Sequence, residues 1–94
     1  MIVSFRDPET EKVWLGVRSR RLPPDIQAGA LRRLRLLNAA QRVDDLRVPP
    51  GNRLEQLRHD RVGQWSIRIN DQWRICFEWK EGGAHDVEIV DDHG

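Results

Sequence analysis

Four side chains in this sequence have the types that phosphodiester chemistry needs: Arg58, Arg74, Asp91 and His93. RNA carries its own nucleophile, the 2′-hydroxyl. A protein can cleave it without a metal by accepting that proton, stabilising charge on the phosphate and protonating the leaving oxygen. Arg stays protonated at any workable pH, so Arg58 and Arg74 suit the phosphate and not the base role. An unperturbed imidazole has its pKa near neutrality, so His93 can be acid or base; Asp91, close before it, can orient it or act as the base itself. The same residues also have bland roles. Arg74 can pair with Glu88 across a sheet, Arg53 and Arg58 can decorate a loop, Asp60 and Arg61 can form a surface ion pair of little worth, and His93 can be a solvated end residue. From residue types alone the set fits a nucleic-acid-binding domain and leaves the chemistry open.

Other chemistries lack their residues. There is no glycine-rich phosphate loop and no serine-histidine-acid signature. His59, His85 and His93 are scattered, without metal-ligand spacing. Cys76 stands alone, which excludes an intrachain disulfide and a cysteine metal cluster. Asp91 and Asp92 do not make a carboxylate dyad, because neighbours on a strand point apart.

The element that must position these groups is a hairpin within 64–80. Trp65, Ile67 and Ile69 alternate with Ser66, Arg68 and Asn70; after a polar turn, Trp73, Ile75, Phe77 and Trp79 alternate with Arg74, Cys76, Glu78 and Lys80. A period of two in β-branched and aromatic residues predicts two strands with one core face and one arginine-bearing face. Upstream, residues 2–5 read as a first strand. Asp7-Pro8 reads as a helix start that places Val13, Trp14 and Val17 on one side. Residues 18–24 form a basic connector. A second helix from Asp25 to about Gln41 carries Ile26, Ala30, Leu34 and Leu37 on one stripe, with Arg32, Arg33 and Arg35 mostly away from it. Gly29 costs that helix stability. Residues 49–52 read as an extended loop that cannot be helical, 53–57 as a short strand, 58–63 and 81–84 as turns, and 86–90 as a last strand. This order argues a single α+β domain over 1–94, with two N-terminal helices packed on a twisted, mainly antiparallel sheet.

Charge is segregated, although the net value is only +1. All but two of the sixteen basic side chains are Arg. Six of them fall between Arg18 and Arg35 against one acid, Asp25, while Asp86, Glu88, Asp91 and Asp92 crowd the last nine residues. A polyanion partner and plain solvation explain that pattern about equally well on composition. No run is long enough to span a bilayer and no signal-peptide pattern opens the chain, so a cytoplasmic location without membrane contact is expected.

The strings Asn52-Arg53-Leu54-Glu55, Gly63-Gln64-Trp65-Ser66-Ile67-Arg68-Ile69-Asn70, Asp71-Gln72-Trp73-Arg74-Ile75-Cys76-Phe77 and Val87-Glu88-Ile89-Val90-Asp91-x-His93 resemble the HigB-type toxins. These are the plasmid maintenance killer group of the RelE/ParE superfamily. The likeness covers nearly the whole chain, and Met1-Ile2-x-Ser4-Phe5 fits it too. It implies the RelE/ParE fold and a toxin of a type II toxin-antitoxin system. It implies an endoribonuclease that cuts mRNA in the A site of the 70S ribosome, with no metal or organic cofactor. The expected partner is a helix-turn-helix antitoxin of the HigA kind. Carried over, the catalytic set is Arg58, Arg74, Asp91 and His93. Arg53, Arg61, Arg68, Arg32, Arg33 and Arg35 are expected to bind RNA or the ribosome through phosphates. Two departures stand out. Asp92 replaces a common Tyr, and Glu55 stands where some relatives have His; both lower the positive potential and predict a slower or more selective enzyme. The alternatives are a gyrase-inhibiting ParE-like toxin, which needs no catalytic His, and a catalytically weak module whose role is to bind its antitoxin.

Overall fold

In a computed structural model, which describes residues 1–92 (His59 by its backbone only), two helices lie on one face of a four-stranded sheet. Helix α1 spans Pro8–Trp14 and α2 spans Pro24–Ala39. Strands β1 (Glu55–Gln56), β2 (Gln64–Arg68), β3 (Trp73–Lys80) and β4 (Gly83–Asp91) are antiparallel in the spatial order β1-β2-β3-β4. No helix among the described residues is long and apolar enough to cross a membrane.

Local chemistry sets the helix ends. The Asp7 carboxylate accepts the Thr10 N–H at 2.7 Å, and Pro8 occupies the first turn, where no backbone donor is needed. The helix stops at Gly16, whose φ of +77° closes a Schellman end: Gly16 N–H donates to the Val13 carbonyl and Val17 N–H to the Lys12 carbonyl. Val17, expected on the inner side, is therefore carried past the helix and left exposed. The basic connector that follows is tethered. Ser19 is buried; its hydroxyl donates to Glu9 at 2.7 Å, and Gln27 bonds both its backbone N–H and its carbonyl. That hydroxyl, and then the Lys12 ammonium, hold the Glu9 carboxyl below its usual range.

The expected stripe of α2 is the one that is buried: Ile26, Ala30, Leu34 and Leu37. It packs on the expected sheet face, Ile67, Ile75 and Phe77, together with Val87 and Ile89 of β4. Register explains the alignment, since Trp65 faces Phe77, Ile67 faces Ile75, and Ile75 faces Ile89. Thr10 joins the layers from a fully buried position. Its hydroxyl donates to Asp7 and accepts the Ile89 N–H at 3.0 Å.

Three expectations about the periphery are corrected, and one irregularity is added. Strand β4 begins at Gly83, not Asp86, because the reversal needs only Glu81 and Gly82, both at positive φ (54° and 73°). The pairing of β3 with β4 shifts between Cys76 and Glu78, and there Asp86 sits at φ +52°. This bulge moves the buried positions of β4 from Ala84 to Val87 and then Ile89, breaking the period of two. Residues 2–5 form only two isolated parallel bridges, Ile2 to Ala84 and Phe5 to Val87, along the outer edge of β4. Finally, Pro50–Asn52 is a single 3-10 turn, which three residues starting with Pro can adopt.

Candidate functional site

Alternation sends Ser66, Arg74, Cys76, Glu88 and Val90 to the sheet face that the helices leave uncovered. Register places Ser66 opposite Glu55 on one side and Cys76 on the other, and Arg74 opposite Arg68 and Val90. Arg74 is the best-held cation on this face, with its side chain 12% exposed. Its Nε donates to the Ser66 hydroxyl at 2.8 Å, and its Nη2 donates to the Arg53 carbonyl at 3.0 Å. The same Nη2 stands 3.3 Å from Glu55 Oε2. The carbonyl of Arg53 is delivered by a left-handed backbone (φ +46°), a conformation that costs a non-glycine residue about 1–2 kcal/mol. Three segments of chain thus fix one planar fork.

The fork opens on a cleft of about 340 Å³ whose walls include Arg61, Leu57, Val90, Asp91 and Asp92, with Cys76 at its base. Arg61 Nη1 donates to Gln64 Oε1 at 3.1 Å and to Glu88 Oε1 at 3.2 Å; the other Glu88 oxygen lies 3.7 Å from Arg6 Nε. Burial pushes the Cys76 thiol above its ordinary range, with Arg61 opposing, so the base of the cleft is a neutral thiol at pH 7. Asp91 accepts from Gln72 Nε2 at 3.0 Å, and the Asp92 N–H donates to the Gln72 carbonyl at 2.6 Å. Two guanidinium groups and three carboxylates therefore share the cleft. An entering phosphate must compete with Glu55 for Arg74. Glu55 is 64% exposed and solvent screens its side of the pair, so an entering phosphate can displace it while Arg74 stays held by Ser66 and Arg53. The arrangement can seat an oxyanion on a fixed fork and offer a carboxylate beside it as proton acceptor.

Of the expected catalytic residues, Arg74 and Asp91 line this cleft. Arg58 is exposed and lines an adjoining cleft of about 500 Å³ that shares Glu55 and Leu57 with the first. His93 lies outside the described residues. Among the other expected RNA contacts, Arg61 lines the cleft and Arg53 borders it through its carbonyl. Arg68 pairs with Asp71 at the turn between β2 and β3. Arg32, Arg33 and Arg35 sit on α2, the helix on the opposite sheet face. The considered pairing of Arg74 with Glu88 is replaced: register sets Glu88 opposite Cys76, where it meets Arg61, and Arg74 meets Glu55 instead. Sequence reasoning noticed Glu55 only as a departure. The strand that turns it toward Arg74 is two residues long and has no periodicity to read.

A family model described as "RelE-like toxin of type II toxin-antitoxin system HigB" matches residues 3–93. A Vibrio cholerae protein named Toxin HigB-1 is 41% identical over 85 residues, which cover 89% of this chain and 90% of that one. A Proteus vulgaris protein named Endoribonuclease HigB is 39% identical over 41 residues, 44% of this chain and 45% of that one. An uncharacterized Haemophilus influenzae protein is 29% identical over 73 residues, 78% of this chain and 71% of that one.

Proposed function

Because the chain belongs to the HigB-like family of RelE-like toxins from type II toxin-antitoxin systems, we propose that it is a ribosome-dependent endoribonuclease that cuts mRNA in the A site. The observation that carries the reading is the Arg74 fork, held by Ser66 and Arg53, with the Glu55 carboxylate in contact with it. The name of the Proteus vulgaris relative supports the same activity. The scissile phosphate seats on Arg74 and takes the place of Glu55 there. Glu55 then accepts the 2′-hydroxyl proton, the 2′-oxygen bonds to phosphorus, and the bond from phosphorus to the 5′-oxygen breaks. His93 gives the leaving oxygen its proton. The products are a 2′,3′-cyclic phosphate and a 5′-hydroxyl. One positioned acid or base contributes roughly 10²–10⁴-fold, so the fork and the placement on the ribosome must supply the rest.

Arg58 and Arg61 hold the phosphates on either side, Arg53 meets a further phosphate of the same strand, and Arg68 meets ribosomal RNA. These contacts depend on salt and do not read bases. A toxin of this class has an antitoxin; the proposed one is a helix-turn-helix protein of the HigA kind, acting with the toxin in the cytoplasm. The test is mapping of mRNA 5′ ends after brief induction, with Arg74→Ala as the control. Cuts in phase with ribosomal A sites that vanish in the variant support the reading. Growth arrest without such cuts, or cuts that persist in Arg74→Ala, reject it.

A further inference from the structure

Arg32, Arg33 and Arg35 project from α2 without a carboxylate in ion-pair contact among the described residues, unlike Arg61, Arg68 and Arg74. Arg33 is fixed in place: its Nε donates to the Arg68 carbonyl at 2.6 Å and its Nη1 to the Gly29 carbonyl at 3.2 Å. It is thereby held half-buried near the charges of Arg32 and Arg68. Burial first, and those two charges next, push its pKa down. Like charges crowded in this way favour an incoming anion.

The space beside them has a shape. A cleft of about 450 Å³ is lined by the three arginines with Leu36, Pro49 and Asn52. Leu36 is 40% exposed and offers an apolar patch. The buried Asn52 donates to the carbonyls of Leu46 at 3.2 Å and Val48 at 3.4 Å, which keeps the loop wall in position. The next residue is Arg53, exposed, whose carbonyl holds the Arg74 fork. The loop wall of the α2 cleft therefore runs directly into the segment that holds the Arg74 fork, with Arg53 exposed at the junction.

We infer that the α2 cleft is a second RNA subsite, which takes the messenger strand flanking the cut: Arg32 and Arg35 hold phosphate, and Leu36 and Pro49 meet a base or sugar. The identity of the strand rests on the nuclease reading. The continuity favours RNA over an acidic protein segment, since a polyanionic strand satisfies both clefts and the Arg53 step between them. A basic groove that tracks the phosphates is also how single strands are held without sequence readout.

The test compares wild type, Arg32→Ala/Arg35→Ala and Arg74→Ala by fluorescence anisotropy. The probes are two RNA oligonucleotides with a 2′-deoxy substitution at the cut position, one of four and one of twelve nucleotides. Two lost phosphate contacts on a single strand reduce affinity about 25-fold at 0.1 M salt and flatten the log-log salt slope by about 1.4. The expected result is that loss for the longer RNA only, with the short one bound alike by wild type and double variant. Affinity of the double variant unchanged on both RNAs overturns the subsite. So does a loss seen only on 70S ribosomes, which assigns the cleft to ribosomal RNA, or a loss only toward the purified antitoxin, which assigns it to protein. Absence of A-site cuts after induction, with the length-dependent loss still seen in anisotropy, would instead sink the nuclease reading and leave the subsite standing.

Discussion

Replacing Arg74 by Lys keeps the charge and removes the fork, which makes it the sharpest test of how the cleft works. The guanidinium makes contacts in three directions, to the Ser66 hydroxyl, the Arg53 carbonyl and Glu55. An ammonium is a point charge on a flexible stem and cannot hold all three. Ser66 is fully buried, so losing the partner of its hydroxyl costs about 1–3 kcal/mol. For a domain of this size each kcal/mol lowers Tm by about 4–8 °C. The kinetic loss is larger, because removing one pre-aimed donor from a developing oxyanion costs about 10²–10³ in rate. The assay is single-turnover cleavage on ribosomes programmed with a defined mRNA, paired with a thermal melt followed by circular dichroism. Ser66→Ala serves as the companion. It keeps the guanidinium and loses one tether, so it should destabilise by about 1 kcal/mol and slow cleavage by no more than about tenfold. A Lys variant that stays folded and cuts within about threefold of wild type would refute the reasoning, because charge alone would then suffice.

Glu55→Gln should lower cleavage by about 10²–10⁴, while the open side of the pair and the other two tethers of Arg74 keep stability within about 1 kcal/mol; single-turnover cleavage and a melt check both. Thr10→Val strips the buried Ile89 N–H of its acceptor, and urea titration should show a loss of about 1–3 kcal/mol. Gly29→Ala should stabilise by about 0.5–1 kcal/mol. A Cβ there meets its nearest atoms at 3.6–3.8 Å, ordinary contact, and the thermal midpoint should rise. For Cys76 the folded thiol titrates above the unfolded one, so its contribution is complete below the free-thiol pKa of about 8.5 and is lost as pH rises through the folded value. Denaturant midpoints between pH 7 and 10 should fall less in Cys76→Ala than in wild type.

The sheet was legible where one face is buried along its length. In β2 and β3 the alternation of Trp65, Ile67, Trp73, Ile75 and Phe77 identified both the strands and the face that Arg74 would occupy. Helix α2 was legible for the same reason, as a stripe. Legibility failed where backbone conformation decides the outcome. The left-handed residues Glu81 and Asp86 start β4 early and shift its phase, and nothing in a Glu or an Asp announces a positive φ. Arg33 read as one more surface arginine, yet its Nε is spent on a carbonyl 35 positions away. Glu55 needed the third dimension, because the residue it contacts lies across two strands.

The parallel bridges from residues 2 and 5 to β4 also bear on when this protein can become active. Asp86 N–H donates to the Ser4 hydroxyl across 82 positions. At 5–20 residues per second the ribosome needs about 4–16 s to make that intervening stretch. Throughout that interval the opening segment has no strand to pair with, and the wall formed by Val90, Asp91 and Asp92 does not yet exist. The cleft of a nascent copy is therefore complete only after the last strand has been made, and the order of the strands sets the moment at which the site first exists.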